Sequence, residues 1–380
     1  MNMTGMPREE SEPGATPHHA SGQHEQLEEA FDQATILAEV DHALRESLLG
    51  YAEQLPPTLI QMGKMALSSP GKVMHETLLL PADDGEAQAT LTPRWPLYVI
   101  ACYQAAVGRE GHDTWKEAVP AAVAVEIAMA AADLLDEIAD DDPSLIVRHY
   151  GPGQALNTAN LMLVMAQQVL LKAARRANGE RALDALGALQ EMLVDAAVGQ
   201  HLDMLYDKMG GGEVDLEMSA RVTELKAGTL IGGACRMGAL MARADKQIVD
   251  LLEKFGRAMG GIAQIINDIQ DVLPLEEGFD GLQVERKTDV ALRKRTMPIV
   301  FALRDDAPKP NALQRAFGGE AGIDEEEQRR AVIEAGGVQF AQLVMEVHKQ
   351  NALEAIEELE ELRPGARRVL AHLMASDEQV

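Results

Sequence analysis

A chain of 380 residues with 46% hydrophobic content can bury a sizeable core, and with aromatics at only 3% that core must be filled by aliphatic side chains and Met. The 34 Lys and Arg stand against 61 Asp and Glu, a net charge of -27, which argues against a nucleic-acid or anionic-membrane partner. No uninterrupted apolar run approaches the roughly 20 residues that span a bilayer. The two cysteines, Cys102 and Cys235, have no His or second Cys at metal spacing, so both are expected as buried apolar residues in a reducing, cytoplasmic compartment.

In chain order, residues 1–25 are rich in Pro, Gly, Ser, His and Glu, without the basic start and apolar stretch of a signal peptide, and read as a disordered tail. From residue 26 to 376 the dominant period is helical. Leu27–Gln54, Val119–Ala139, Leu156–Asn178, Arg181–Lys208, Leu216–Arg243, Lys246–Val272 and Glu325–Glu361 carry Ala, Leu, Met and Val at three- and four-residue spacing. Breaks fall at Ser69-Pro70-Gly71, Gly151-Pro152-Gly153, Gly210-Gly211-Gly212, Pro308 to Pro310 and Gly318-Gly319. No run alternates at period two, and no fixed repeat recurs. The expectation is one all-α domain, a single large bundle of many helices.

Two of these helices end in acids. Asp136-Glu137-Ile138-Ala139-Asp140 closes one and Asn267-Asp268-Ile269-Gln270-Asp271 the other. Residues four apart on a helix lie one above the other, so Asp136 with Asp140, and Asn267 with Asp271, can pinch a cation between them. Hard oxygen ligands suit Mg²⁺, which prefers a few carboxylates plus substrate phosphate oxygens to an all-protein cage. Two such turns facing each other hold a diphosphate between metals. Ala128, Ala131 and Ala132 share a face with the first cluster; they serve either close helix packing or an apolar channel running down from the metals.

Further segments carry a family resemblance when set beside the acid turns. They are Ala121 to Asp142 with Glu126, Gly199-Gln200-His201-Leu202-Asp203, Lys226-Ala227-Gly228, Gln264 to Asp271, and Thr288-Asp289 followed by Lys294-Arg295-Thr296-Met297-Pro298. In this order they resemble the trans-isoprenyl diphosphate synthases, the polyprenyl synthetase family. The resemblance implies the isoprenoid synthase fold, helices around a central cavity, and a Mg²⁺-dependent prenyltransferase, with Mn²⁺ as an alternative metal. It implies Asp136, Glu137, Asp140, Asn267, Asp268 and Asp271 as the metal set. Gln200, Lys226, Gln264, Lys287 and Lys294 would meet the allylic diphosphate, and Asp136, Asp140, Lys226 and Asp268 would carry the chemistry. A homodimer is the family's usual assembly.

The chain also departs from the family. Glu137 and Asn267 each stand where an Asp is usual, the first keeping the charge and the second losing it. The usual basic loop for isopentenyl diphosphate is thin: Lys72, His75, Arg94 and Arg148 either assemble a second diphosphate pocket or remain scattered surface charges. The favoured activity is condensation of an allylic prenyl diphosphate with isopentenyl diphosphate to a longer trans-prenyl diphosphate. A class I terpene cyclase acting on one prenyl diphosphate, or a non-catalytic partner subunit of a synthase, are the alternatives.

Overall fold

The computed structural model describes residues 31–50, 54–68, 95–140, 145–210, 212–273, 289–304 and 310–374. Lys72, His75, Arg94, Lys287 and the tail expected over residues 1–25 lie outside them. Among the described residues all regular structure is helical, as expected, and those from Gln33 onward form one compact unit.

The helices are α1 (Gln33–Leu49), α2 (Pro57–Leu67), α3 (Trp95–Val107), α4 (Val119–Ala139), α5 (Leu145–Tyr150), α6 (Pro152–Ala173), α7 (Gly179–Tyr206) and α8 (Leu216–Thr223). They continue as α9 (Thr229–Met241), α10 (Lys246–Val272), α11 (Asp289–Leu292), α12 (Met297–Ala302), α13 (Ala312–Phe317), α14 (Glu325–Glu334), α15 (Gly337–Leu362) and α16 (Ala366–Met374). The first residue of α10 is fixed by Asp245, whose carboxylate accepts from the Ile248 N–H, and that of α8 by Asp215, which accepts from Met218.

At the centre, α9 packs against α3, α7 and α10; α4 lies on α6, and α15 covers the far side of α10. Every residue of α3 from Pro96 to Ala106 is buried. A helix apolar on all sides has no polar face to leave in water, so it becomes the middle of the bundle. Helix α4 and the turn before it, Thr114–Ala139, are long and apolar enough by composition alone to cross a membrane, but most of that stretch is packed inside the fold. Cys102 and Cys235 are both fully buried.

Glycines set the distances between the central helices. A Cβ on Gly260 of α10 would fall against the Ala227 carbonyl oxygen and 2.7 Å from Gly228 Cα, and one on Gly256 would lie 2.8 Å from Gly232 Cα. On the other side, a Cβ on Gly199 of α7 would sit 2.8 Å from the Lys226 nitrogen. The turn Glu224–Gly228 between α8 and α9 is wound as a π turn, and it is gripped by bare backbone from both neighbours. Only residues without a side chain permit this approach.

The boundaries expected for Val119–Ala139 and Lys246–Val272 are those observed. Others are corrected. Leu216–Arg243 is interrupted by the π turn Glu224–Gly228, Leu156–Asn178 becomes the α-helix Pro152–Ala173 with a π turn over Ala174–Asn178, and Glu325–Glu361 is broken at Gly336, whose left-handed φ of 83° starts α15 in a new direction. Replacing Gly260 with Ala should cost about 1–3 kcal/mol of stability by overpacking. Gly187→Ala, at a helical site with nothing within 4 Å of the added Cβ, should gain about 0.5–1 kcal/mol. Urea unfolding of both variants checks this, and equal effects would remove the role given to close approach.

Candidate active site

Three helices deliver their C-terminal turns to one cavity of about 270 Å³. The last turn of α4 brings Asp136 and Asp140, the C-terminal turns of α10 bring Gln264, Asn267, Asp268 and Asp271, and the last turn of α7 brings Asp203. Asp207 follows directly, its N–H bonded to the Asp203 carbonyl. Helix C-termini carry unpaired carbonyls and partial negative charge, so carboxylates placed there deepen a negative potential instead of relieving it. Such an arrangement is unfavourable for the empty protein and favourable for cations.

Two lysines occupy the middle. Lys226 Nζ, on the gripped π turn, is 2.9 Å from Asp203 Oδ2 and 3.1 Å from Asp136 Oδ1. Lys294 Nζ is 2.8 Å from Asp140 Oδ1, 3.4 Å from Asp207 Oδ2 and 3.8 Å from Asp203 Oδ2. Each ammonium therefore ties the end of α4 to the end of α7. Lys294 stands between α11 and α12 on a segment pinned from several sides. Its own N–H bonds to the Asp289 carbonyl, Ser219 donates to the Arg295 carbonyl, and the Arg295 guanidinium donates to the carbonyls of Arg293 and Met209 while lying over the Phe317 ring. Arg293 takes up the sharp bend with a φ of 58°.

Protonation follows from burial and charge. For Lys226 burial pulls the pKa down, but Asp203 and then Asp136 outweigh it and hold the ammonium above its ordinary value; for Lys294 burial is likewise overcome, first by Asp203 and then by the hydrogen bond to Asp140. Burial raises the Asp136 and Asp207 carboxyls against the opposing pull of Lys226 and Lys294 respectively. Burial also drives Asp268 up to about 7, although Gln264 Nε2 at 2.8 Å and the Met297 N–H favour its anion. Asp289 is pushed well above the carboxylate range by burial and then by Asp271 and Asp268.

Of the residues singled out in the sequence, Asp136, Asp140, Lys226, Gln264, Asn267, Asp268, Asp271 and Lys294 all line this cavity. Glu137 does not, because one step along α4 turns a side chain by about 100° away from Asp136. Gln200 sits a turn below Asp203 with both amide atoms buried and without a hydrogen-bond partner, and is not among the lining residues. Arg148 is exposed on α5, outside the lining. Ala128 and Ala131 are fully buried and none of the three alanines lines the cavity, which fits the packing reading of that face. Missing from the sequence-derived set are Asp203, Asp207, Asp289, Arg295, Thr296, Ser219 and Thr223. The pair Asp203 and Asp207 has the same four-residue spacing that drew attention to Asp136 and Asp140.

Among the described residues no three His, Cys, Asp or Glu side chains converge as a preformed metal cage. The donor set nevertheless fits Mg²⁺, which is held by one or two carboxylates plus substrate oxygens and water: oxygens stand on opposite walls with space between them.

Residues 94–335 match the profile of the polyprenyl synthetase family, more than half of the chain. A geranylgeranyl diphosphate synthase from Mycobacterium tuberculosis is 28% identical over 63% of this chain and 69% of its own length. A short chain isoprenyl diphosphate synthase from Methanothermobacter thermautotrophicus is 26% identical over 87% of this chain and 92% of its own. Among solved structures, a decaprenyl diphosphate synthase from Rhodobacter capsulatus superposes with a TM-score of 0.70 at 17% identity, covering 94% of this chain and 99% of that one. The shared fold is the all-α isoprenoid synthase fold.

The raised pKa of Asp268 is one contribution to the pH dependence of the metal-free protein's stability. Between the ordinary value of 3.8 and about 7 the folded state keeps a proton on Asp268 that the unfolded chain has lost. The stability it contributes is therefore complete below the lower value and lost as pH rises through the upper one. Thermal unfolding of metal-free protein should fall in midpoint across this window, and Asp268→Asn should flatten the fall; an unchanged slope would contradict the burial assigned to this carboxyl.

Proposed function

The chain belongs to the polyprenyl synthetase family, and from that membership we propose that it is a Mg²⁺-dependent prenyltransferase condensing an allylic prenyl diphosphate with isopentenyl diphosphate to a longer trans-prenyl diphosphate. The observation that carries this reading is the cavity in which two cationic lysines stand between three acid-bearing helix ends. Relatives named as geranylgeranyl, geranylfarnesyl and nonaprenyl diphosphate synthases support the reaction class while differing in product length.

Asp136, Asp140, Asn267, Asp268 and Asp271 would hold the metal, while Glu137, next in sequence, faces away from the cavity. Bound Mg²⁺ would neutralise the diphosphate and stabilise the charge it gains as it leaves. Lys226 and Lys294 would donate to the diphosphate oxygens from the protein side, charge-assisted hydrogen bonds that strengthen as the C–O bond breaks and its electron pair passes to the diphosphate. Gln264, which holds Asp268, would keep that carboxylate turned toward the cavity. The double bond of isopentenyl diphosphate would then supply the electrons for the new C–C bond, and the cation so formed would lose a proton to the departed diphosphate to regenerate a double bond, so no covalent nucleophile or protein general base is needed to begin.

The assembly we propose is a cytoplasmic homodimer. Leu156 and Val164 on α6, with Val194, Val198 and Leu205 on α7, are large apolar side chains left exposed on adjacent helices, which supports a second copy covering them.

Asn267 and the position of Arg148 outside the cavity keep a class I terpene cyclase as the second reading. Geranyl or farnesyl diphosphate alone should give little product, and added isopentenyl diphosphate should give a longer prenyl diphosphate that phosphatase converts to an alcohol. A cyclic terpene formed without isopentenyl diphosphate, detected by gas chromatography with mass detection, would replace the synthase reading. Lys226→Ala should lower kcat by roughly 10²–10³-fold with the helical circular-dichroism signal kept, since it removes a donor to developing charge.

A further inference from the structure

We propose that Asp207 is a positioning residue that holds Lys294 for the diphosphate. The inference rests on the diphosphate-binding reading of the cavity and adds a residue outside both acid motifs.

The four carboxylates that meet the lysines have different commitments. Asp136 takes Lys226, and Asp203 takes Lys226 at 2.9 Å with Lys294 only at 3.8 Å. Asp140 makes the short contact to Lys294, at 2.8 Å, but it also belongs to the first acid pair. A divalent cation drawn to Asp140 would compete with the ammonium for its negative charge and weaken that contact. Asp207 has Lys294 as its ion-pair partner, at 3.4 Å through Oδ2, and its Oδ1 is buried without a hydrogen-bond partner. Arg295 acts on it only as a more distant charge, its two terminal guanidinium nitrogens donating to the Met209 and Arg293 carbonyls.

Asp207 is half-buried, but its Oδ1 is shut off from water, and a carboxylate with one oxygen so placed is costly unless a cation compensates it. An ammonium has three donors, and Asp207 can take one of them whatever Asp140 binds. Released from Asp140, Lys294 therefore stays against the end of α7 with donors left for the diphosphate. The side chain itself is 9% exposed, so it has little room to go elsewhere.

Calorimetric titration of inorganic diphosphate in excess Mg²⁺ into the full chain tests this without turnover. Asp207→Asn should weaken binding by roughly three- to tenfold, the range expected from losing one such contact. Lys294→Met should weaken it further, and the double variant should equal Lys294→Met alone, because Asp207 acts through the lysine. Asp207→Glu, which keeps the charge, should recover part of the loss and covers the case in which Asp207→Asn does not fold. Binding by Asp207→Asn equal to wild type, or an undiminished effect in the Lys294→Met background, would overturn the inference while leaving the diphosphate site standing. Failure of the wild-type protein to bind Mg²⁺ and diphosphate together would overturn both.

Discussion

Like charge brought to one place by three helix ends is the constraint around which the molecule is arranged. Asp136 and Asp140, Asp203 and Asp207, and Asp268 and Asp271 stand on the C-terminal turns of α4, α7 and α10, where the backbone already presents carbonyls. Nothing in the dipoles of those helices favours the meeting. Two ammonium groups and a few raised carboxyl pKa values make it tolerable, and the same repulsion gives the cavity its appetite for cations.

Placing two lysines among six carboxylates demands that the helices come close, and the small-residue content of the chain answers that demand. Gly199 and Gly260 clear the space for the Lys226 turn, and Gly256 faces Gly232 one turn farther along. Alanine and methionine fill what remains, which is why a core almost without aromatic rings is still closely packed. The residues that hold Lys294 solve the problem differently, with side-chain hydrogen bonds to carbonyls instead of backbone contact.

Much of this was legible in the sequence because periodicity and chemistry coincide there. Val119–Ala139 and Lys246–Val272 are amphipathic runs that stop at their acids, so element and motif were found together. Helix α3 lacks a polar face and therefore any period, and it went unrecognised although it is the most buried helix. Asp207 was visible by spacing but belongs to no motif quoted from the family. Gln200 and Glu137 show the reverse: motif membership places a residue on the right turn, and the helical rotation then decides whether its side chain reaches the cavity. In Glu325–Glu361 the pair Gly336-Gly337 is the same local signal as Gly318-Gly319, and the break it marks is fixed by close packing, since a Cβ on Gly337 would fall against the Pro298 carbonyl oxygen.

The two lysines are held by means that open at different free energies. Lys226 belongs to a turn clamped by the backbone of α7 and α10, so exposing its amides requires those helices to part, an event close to global unfolding. Lys294 sits on an extended stretch between a four-residue and a six-residue helix, where a local fluctuation that breaks a few side-chain bonds is enough. In amide hydrogen exchange the first would behave as part of the slowest unit and the second as a faster one. One wall of the cavity is in this sense fixed by the packing of the core and the other by a local set of side-chain bonds.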